Sequence, residues 1–91
     1  IPGAQIDLVI RRRDQVIHLC EIKFSVNEYI IDREYEMTLR NKMESFRQVT
    51  GTRDTLLLTM ITTYGVKRNM YSDIARSQIV LEDLFEPANW F

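Results

Sequence analysis

Gln5-Ile6-Asp7-Leu8-Val9-Ile10-Arg11 and, beyond Arg12–Gln15, Val16-Ile17-His18-Leu19-Cys20-Glu21-Ile22-Lys23-Phe24 are the stretches on which the fold turns. Both are rich in β-formers, and the polar link between them is turn-like, so they predict an antiparallel hairpin. Alternation puts Ile6, Leu8, Ile10, Val16, Cys20, Ile22 and Phe24 on one face and Val9, Ile17 and Leu19 on the other. Both faces are largely apolar, so both need cover. Three charges interrupt this apolar background: Asp7 in the first strand, Glu21 and Lys23 in the second. If Asp7 lies opposite Glu21, then Val9 lies opposite Leu19, and the two carboxylates and Lys23 share one face. A one-residue slip would split the carboxylates across the sheet.

Downstream, Asp32 is placed to cap a helix, with Glu34 and Glu36 in the first turn where the helix dipole favours acids. Tyr35, Leu39, Met43, Phe46 and Val49 recur at helical spacing and form one apolar stripe. Gly51 suits the position after the last turn. Leu56–Thr63 reads as a third strand, so the order strand, helix, strand predicts a parallel pair with a right-handed crossover. Tyr64–Ser77 reads as irregular, Gln78–Leu81 as a short fourth strand and Glu82–Phe85 as a single helical turn. One long amphipathic helix covers one face of the hairpin. The second cover is expected from upstream sequence or from another copy of the chain.

The chain has 91 residues, 27% of them charged and 45% hydrophobic, which describes one small domain spanning residues 1–91. A chain of this size buries only about 60% of its unfolded surface, so its stability alone is marginal. Twelve Lys and Arg against thirteen Asp and Glu exclude a strongly basic nucleic-acid binder and an acidic disordered tail. No apolar run approaches the ~20 residues of a membrane span. A single cysteine excludes an internal disulfide and fits a reducing, cytoplasmic setting. The opening Ile1-Pro2-Gly3 carries neither a start methionine nor a signal peptide, and the chain is read as a piece of a longer protein.

An aspartate between Ile6 and Leu8 must be satisfied by hydrogen bonds, a counter-charge or a metal. Two carboxylates a few ångströms apart repel unless a cation lies between them, and hard oxygen donors with retained water suit Mg²⁺ or Mn²⁺. A lysine beside them can orient water or stabilise charge on a phosphoryl group. Phosphodiester hydrolysis uses this set of parts. The plain alternative is a structural salt-bridge cluster in which Lys23 pairs with Glu21 or Asp7.

Asp7, thirteen intervening residues and Glu21-Ile22-Lys23, on a hairpin followed by helix and strand, resemble the PD-(D/E)XK nuclease superfamily. Gly3-Ala4-Gln5-Ile6-Asp7-Leu8, Glu21-Ile22-Lys23-Phe24-Ser25, Leu39-Arg40-Asn41-Lys42-Met43, Thr63-Tyr64-Gly65 and Val80-Leu81-Glu82-Asp83-Leu84-Phe85 are similar to the C-terminal nuclease-like domain of archaeal-type ATP-binding proteins. The resemblance implies an α/β, restriction-endonuclease-like mixed sheet, incomplete at its N-terminus. It implies Asp7, Glu21 and the backbone carbonyl of Ile22 as ligands of Mg²⁺ or Mn²⁺, and Lys23 as the catalytic lysine. It further implies nucleic acid, DNA favoured, as substrate, and ATP bound only through an absent N-terminal ATPase portion. The superfamily's first helix and first core strand are missing, and Pro2 lies five residues before Asp7 instead of next to it.

Lys42, near the apolar stripe, is a candidate contact to a substrate phosphate; otherwise its stem packs on the core with its head in solvent. His18 alternates away from the carboxylates and reads as a core or interface histidine, and Cys20 as a small buried apolar residue. Arg11–Arg13, with Lys67 and Arg68, read as solvated turns before nucleic-acid contacts. Tyr64, Tyr71, Phe85, Trp90 and Phe91 read as packing or oligomer contacts. A homo-oligomer is expected from the uncovered face and edge of the hairpin. The alternative function is a catalytically inactive self-association or regulatory module of the attached ATPase.

Overall fold

A computed structural model describes residues 5–81. The elements are β1 (Leu8–Arg11), β2 (Val16–Lys23), α1 (Arg33–Thr50), β3 (Thr55–Thr62) and β4 (Ser77–Val80), with a 3₁₀ turn at Ser72–Ile74 before β4. They form one four-stranded sheet in the order β1-β2-β3-β4. β1 runs antiparallel to β2, whereas β2, β3 and β4 are parallel. This is an α/β fold with a mixed sheet: an antiparallel hairpin, a crossover helix and a parallel strand. The arrangement is consistent with a restriction-endonuclease-like core.

The hairpin register pairs Leu8 with Cys20 and Val9 with Leu19. β1 is shorter than its sequence suggests: Gln5 and Ile6 lie outside the ladder and Asp7 forms a bend. The physical reason is local. The Ile22 amide donates to the Asp7 carboxylate, Oδ2, at 2.9 Å, so a side chain takes the place that a backbone carbonyl would hold in a continued ladder. β2 ends at Lys23, leaving Phe24 exposed, and β3 and β4 each begin one residue earlier than their apolar runs suggest. In the turn, the Arg12 amide donates to the Val16 carbonyl at 2.8 Å, and Gln15 takes the left-handed conformation at φ 64°.

α1 begins where Asp32 accepts from the Tyr35 amide at 2.7 Å and ends at Gly51, whose φ of 67° is a left-handed cap. Of the apolar stripe, Leu39 is buried, Tyr35, Met43 and Phe46 are half-buried, and Val49 is exposed, so the packed stripe stops at Phe46. The Phe24–Ile31 connection is fastened by a bridge between Tyr29 and Val66, with the Tyr29 amide donating to the Gly65 carbonyl and the Lys67 amide to the Tyr29 carbonyl, each at 2.8 Å. Gly65, at φ 94°, makes the bend that presents its carbonyl.

The core is Ile17 and Leu19 of β2, Leu56, Leu58 and Met60 of β3, Leu39 of α1 and Ile31. Register places Ile17 beside Leu56, Leu19 beside Leu58 and Glu21 beside Met60, so these side chains share the face that α1 covers. The opposite face carries Leu8 and Ile10, which are exposed, along with His18, Cys20, Thr59 and Ile79. The expected helical turn at Glu82–Phe85, together with Trp90 and Phe91, lies outside the described residues. Among the described residues no helix is long and apolar enough to cross a membrane.

Candidate functional site

Glu21 sits on β2, an inner strand, between Cys20 and Ile22 and facing α1. Its side chain is only 2% exposed. A carboxylate this deep requires a counter-charge, and the covering helix supplies it: Lys42 Nζ donates to Glu21 Oε1 at 2.7 Å. The Tyr35 hydroxyl reaches the same oxygen at 3.4 Å. The second oxygen, Oε2, is buried and has no hydrogen-bond partner among the described residues. One half of the carboxylate is satisfied and the other is not.

Asp7 stands one residue beyond the end of the β1–β2 ladder, where continuing the register would set it opposite Glu21. It is exposed and anchored through Oδ2 to the Ile22 amide. In an extended strand the amide and carbonyl of one residue point to the same side, so the Ile22 carbonyl faces this edge too. Lys23 Nζ lies 5.2 Å from the centroid of the Tyr35 ring, within range of a cation–π attraction. The lysine next to the acid in sequence is thus not the one that neutralises it. The ion pair belongs to Lys42, twenty-one residues away on α1.

Tyr35 is the meeting point of these groups, a role its place in the apolar stripe does not announce. Its pKa is pushed up by burial first, then by the Glu21 charge, with further contributions from Tyr29, the hydrogen bond to Glu21 and the Asp7 charge. Both carboxylates therefore contribute to the upward shift of one phenol, Glu21 more than Asp7. The Tyr29 ring packs edge-on against Tyr35, with centroids 5.8 Å apart, and its pKa is raised by burial, then by Asp32 and Glu21. The Cys20 thiol is likewise pushed up by burial and then by Glu21, which keeps it protonated and unreactive. A sequence signal for Tyr35 and Lys42 exists: Tyr35, Leu39 and Lys42 are spaced four and three, on one side of α1. The side that packs over β2 must answer the buried acid there.

His18 lies on the other face, as its alternation predicts. Arg12 Nη1 approaches His18 Nε2 at 3.3 Å and can only donate, so Nε2 accepts; Nδ1 then donates to Thr59 Oγ1 at 2.8 Å. The histidine is a hydrogen-bonded structural residue. Arg12 also pairs with Asp14, and Arg11 with Asp54 at 3.6 Å. This basic turn is at the start of β2 and the acids are at its end, roughly 20 Å apart by strand rise. Lys67 and Arg68 are exposed, Tyr64 is exposed and Tyr71 is half-buried against the core.

Among the described residues no cluster of three or more His, Cys, Asp or Glu side chains is placed to hold a metal ion. The set present is two carboxylates and a carbonyl. Mg²⁺ uses one or two protein carboxylates and completes its shell with water and substrate phosphate, so the donor chemistry fits. The orphaned Glu21 Oε2 supplies an oxygen that still lacks a positive partner. No family model, curated protein or solved structure matches this chain.

Proposed function

We propose that this domain hydrolyses phosphodiester bonds of nucleic acid, with DNA the favoured substrate, as a Mg²⁺- or Mn²⁺-dependent nuclease. The observation that carries this proposal is the buried, unpartnered Glu21 Oε2 at the strand end that also holds Asp7 and Lys23. Asp7, Glu21 and the Ile22 carbonyl would hold the ion, which supplies Lewis-acid stabilisation and lowers the pKa of a bound water. The Ile22 amide fixes the Asp7 carboxylate at the edge of the sheet, and the Tyr35 hydroxyl, joined by Lys42 in the metal-free site, holds Glu21 Oε1. The Lys23 ammonium lies 5.2 Å from the centroid of the Tyr35 ring, within cation–π range. Hydrolysis forms a phosphorus–oxygen bond to water and breaks the one to the leaving oxygen; Lys23 orients the water and offsets charge on the non-bridging oxygens.

Plasmid, oligodeoxynucleotide and RNA substrates incubated with Mg²⁺ or Mn²⁺ test this assignment. Cleavage is expected to fall at least a hundredfold in Lys23→Ala and Asp7→Asn. Equal rates for wild type and both variants would remove the catalytic assignment.

One observation favours a second role, self-association as a regulatory module of an attached ATPase. β1 is the end strand of the described sheet, and Leu8, Val9 and Ile10 are 43%, 44% and 40% exposed. Asp7-Leu8-Val9-Ile10-Arg11 is self-complementary when run antiparallel: Asp7 of each copy meets Arg11 of the other, and Leu8 meets Ile10. Sedimentation at rising concentration distinguishes the roles. A dimer lost in Val9→Lys, together with no Mn²⁺ binding, would favour the module over the enzyme.

A further inference from the structure

We propose that Lys42 is an internal cation that competes with the metal for Glu21, so that the site is latched until a divalent ion displaces its ammonium. The proposal rests on Asp7 and Glu21 being the metal ligands, and it adds a control built into the same site.

Glu21 and Lys42 are unequal partners. Glu21 is fixed on an inner strand, paired with Met60 of β3, and its side chain is 2% exposed. Lys42 reaches in from α1 on a four-carbon stem, and its side chain is 22% exposed. Of the two, the lysine can move. Its ammonium sits on Oε1 only, leaving Oε2 without a partner, so the pair leaves part of the carboxylate's bonding capacity unused. A well-evolved structural ion pair satisfies both oxygens, because each unpaired buried acceptor costs free energy. The Tyr35 hydroxyl does not remedy this, since it also turns to Oε1. Nor does Lys23, which is held on the Tyr35 ring.

A divalent ion held by Glu21 and Asp7 would bring a second positive charge to the carboxylate that the Lys42 ammonium already neutralises. Like charges in a partly desolvated site repel strongly, so the two cations bind Glu21 with opposing effects. The ion adds the Asp7 carboxylate to its own side, which the ammonium lacks. Once displaced, the Lys42 head swings toward the solvent it already touches, where an incoming phosphate would meet it. Lys42 thus neutralises the buried acid when the ion is absent and is freed for the substrate when it is present.

The test compares Mn²⁺ binding and thermal stability, not turnover, in the full chain and in Lys42→Met. Calorimetric titration and the electron paramagnetic resonance signal of free Mn²⁺ give affinity; melts in EDTA and in Mn²⁺ give stability. The expected result is at least tenfold tighter Mn²⁺ binding in Lys42→Met, a lower Tm than wild type in EDTA, and a larger rise in Tm on adding Mn²⁺. Equal or weaker binding by Lys42→Met, while wild type binds, would overturn the competition and leave Lys42 a positioning residue. A variant that folds in neither buffer would overturn it too, because the ion must be able to replace the ammonium. The metal assignment fails separately: wild type, Lys42→Met and Glu21→Gln would then all show no Mn²⁺ binding.

Discussion

The two faces of one sheet carry the same kinds of side chain under different rules. On the face under α1, Ile17, Leu19, Leu56, Leu58 and Met60 are buried together with a carboxylate. On the other face Leu8 and Ile10 are exposed, while the polar groups there, His18 and Thr59, satisfy one another. The contrast is informative because charge is solvated most easily at exposed positions such as those of Leu8 and Ile10, and the buried residues of that face, Cys20 and Thr59, are uncharged. A carboxylate on the covered face, with one oxygen paired and one orphaned, is an expense that packing alone does not explain. This conflict between local rule and observed placement is the observation on which the proposed metal site rests.

The largest effect that tests the contrast is a cavity on each face. Leu58→Ala under the helix is expected to cost about 3 kcal/mol, against less than about 1 kcal/mol for Ile10→Ala, by urea unfolding. Comparable losses would show that the second face is covered in solution. Next comes the buried pair itself. Replacing both members, Glu21→Leu with Lys42→Met, should leave stability unchanged or raise it by about 1–2 kcal/mol while abolishing Mn²⁺ binding, because burying two charges costs much of what their attraction returns. A double variant much less stable than wild type would make the pair a structural element.

A smaller effect is expected at high pH. Tyr35 is neutral in the folded chain, with a pKa raised above its ordinary value of 10.0, so the unfolded chain loses that proton first. Stability is then intact below pH 10.0 and falls as pH rises from there toward the higher folded pKa. Tyr35→Phe should flatten that decline in the metal-free protein; an unchanged slope would place the titrating group elsewhere, with Tyr29 the next to substitute. The smallest effect is on the hairpin. Gln15→Gly, relieving a left-handed φ of 64°, should stabilise the fold by about 0.5 kcal/mol without altering metal binding.

Much of the fold was legible because it is local. Asp32 and Gly51 mark the ends of α1, the residues between them follow one helical stripe, and the order hairpin, helix, strand leaves few topologies. The register of the hairpin was a conditional expectation: with Asp7 opposite Glu21, Val9 lies opposite Leu19, and that is the pairing observed. Asp7, Glu21 and Lys23 stood out for the same reason, as charges in apolar strands. The early end of β1 was not legible: Asp7's oxygen captures the Ile22 amide, and hydropathy carries no trace of that bond.

The amino-acid sequence by itself determined the elements, their order and the presence of an acid, Glu21, within an apolar strand, because these depend on neighbours a few residues apart. The tertiary structure alone decided which lysine answers Glu21. Lys23 is two residues from Glu21 along the strand, yet the ammonium at 2.7 Å is that of Lys42, brought by the crossover helix. An ion pair depends on distance in space, and only packing α1 on the sheet creates that distance.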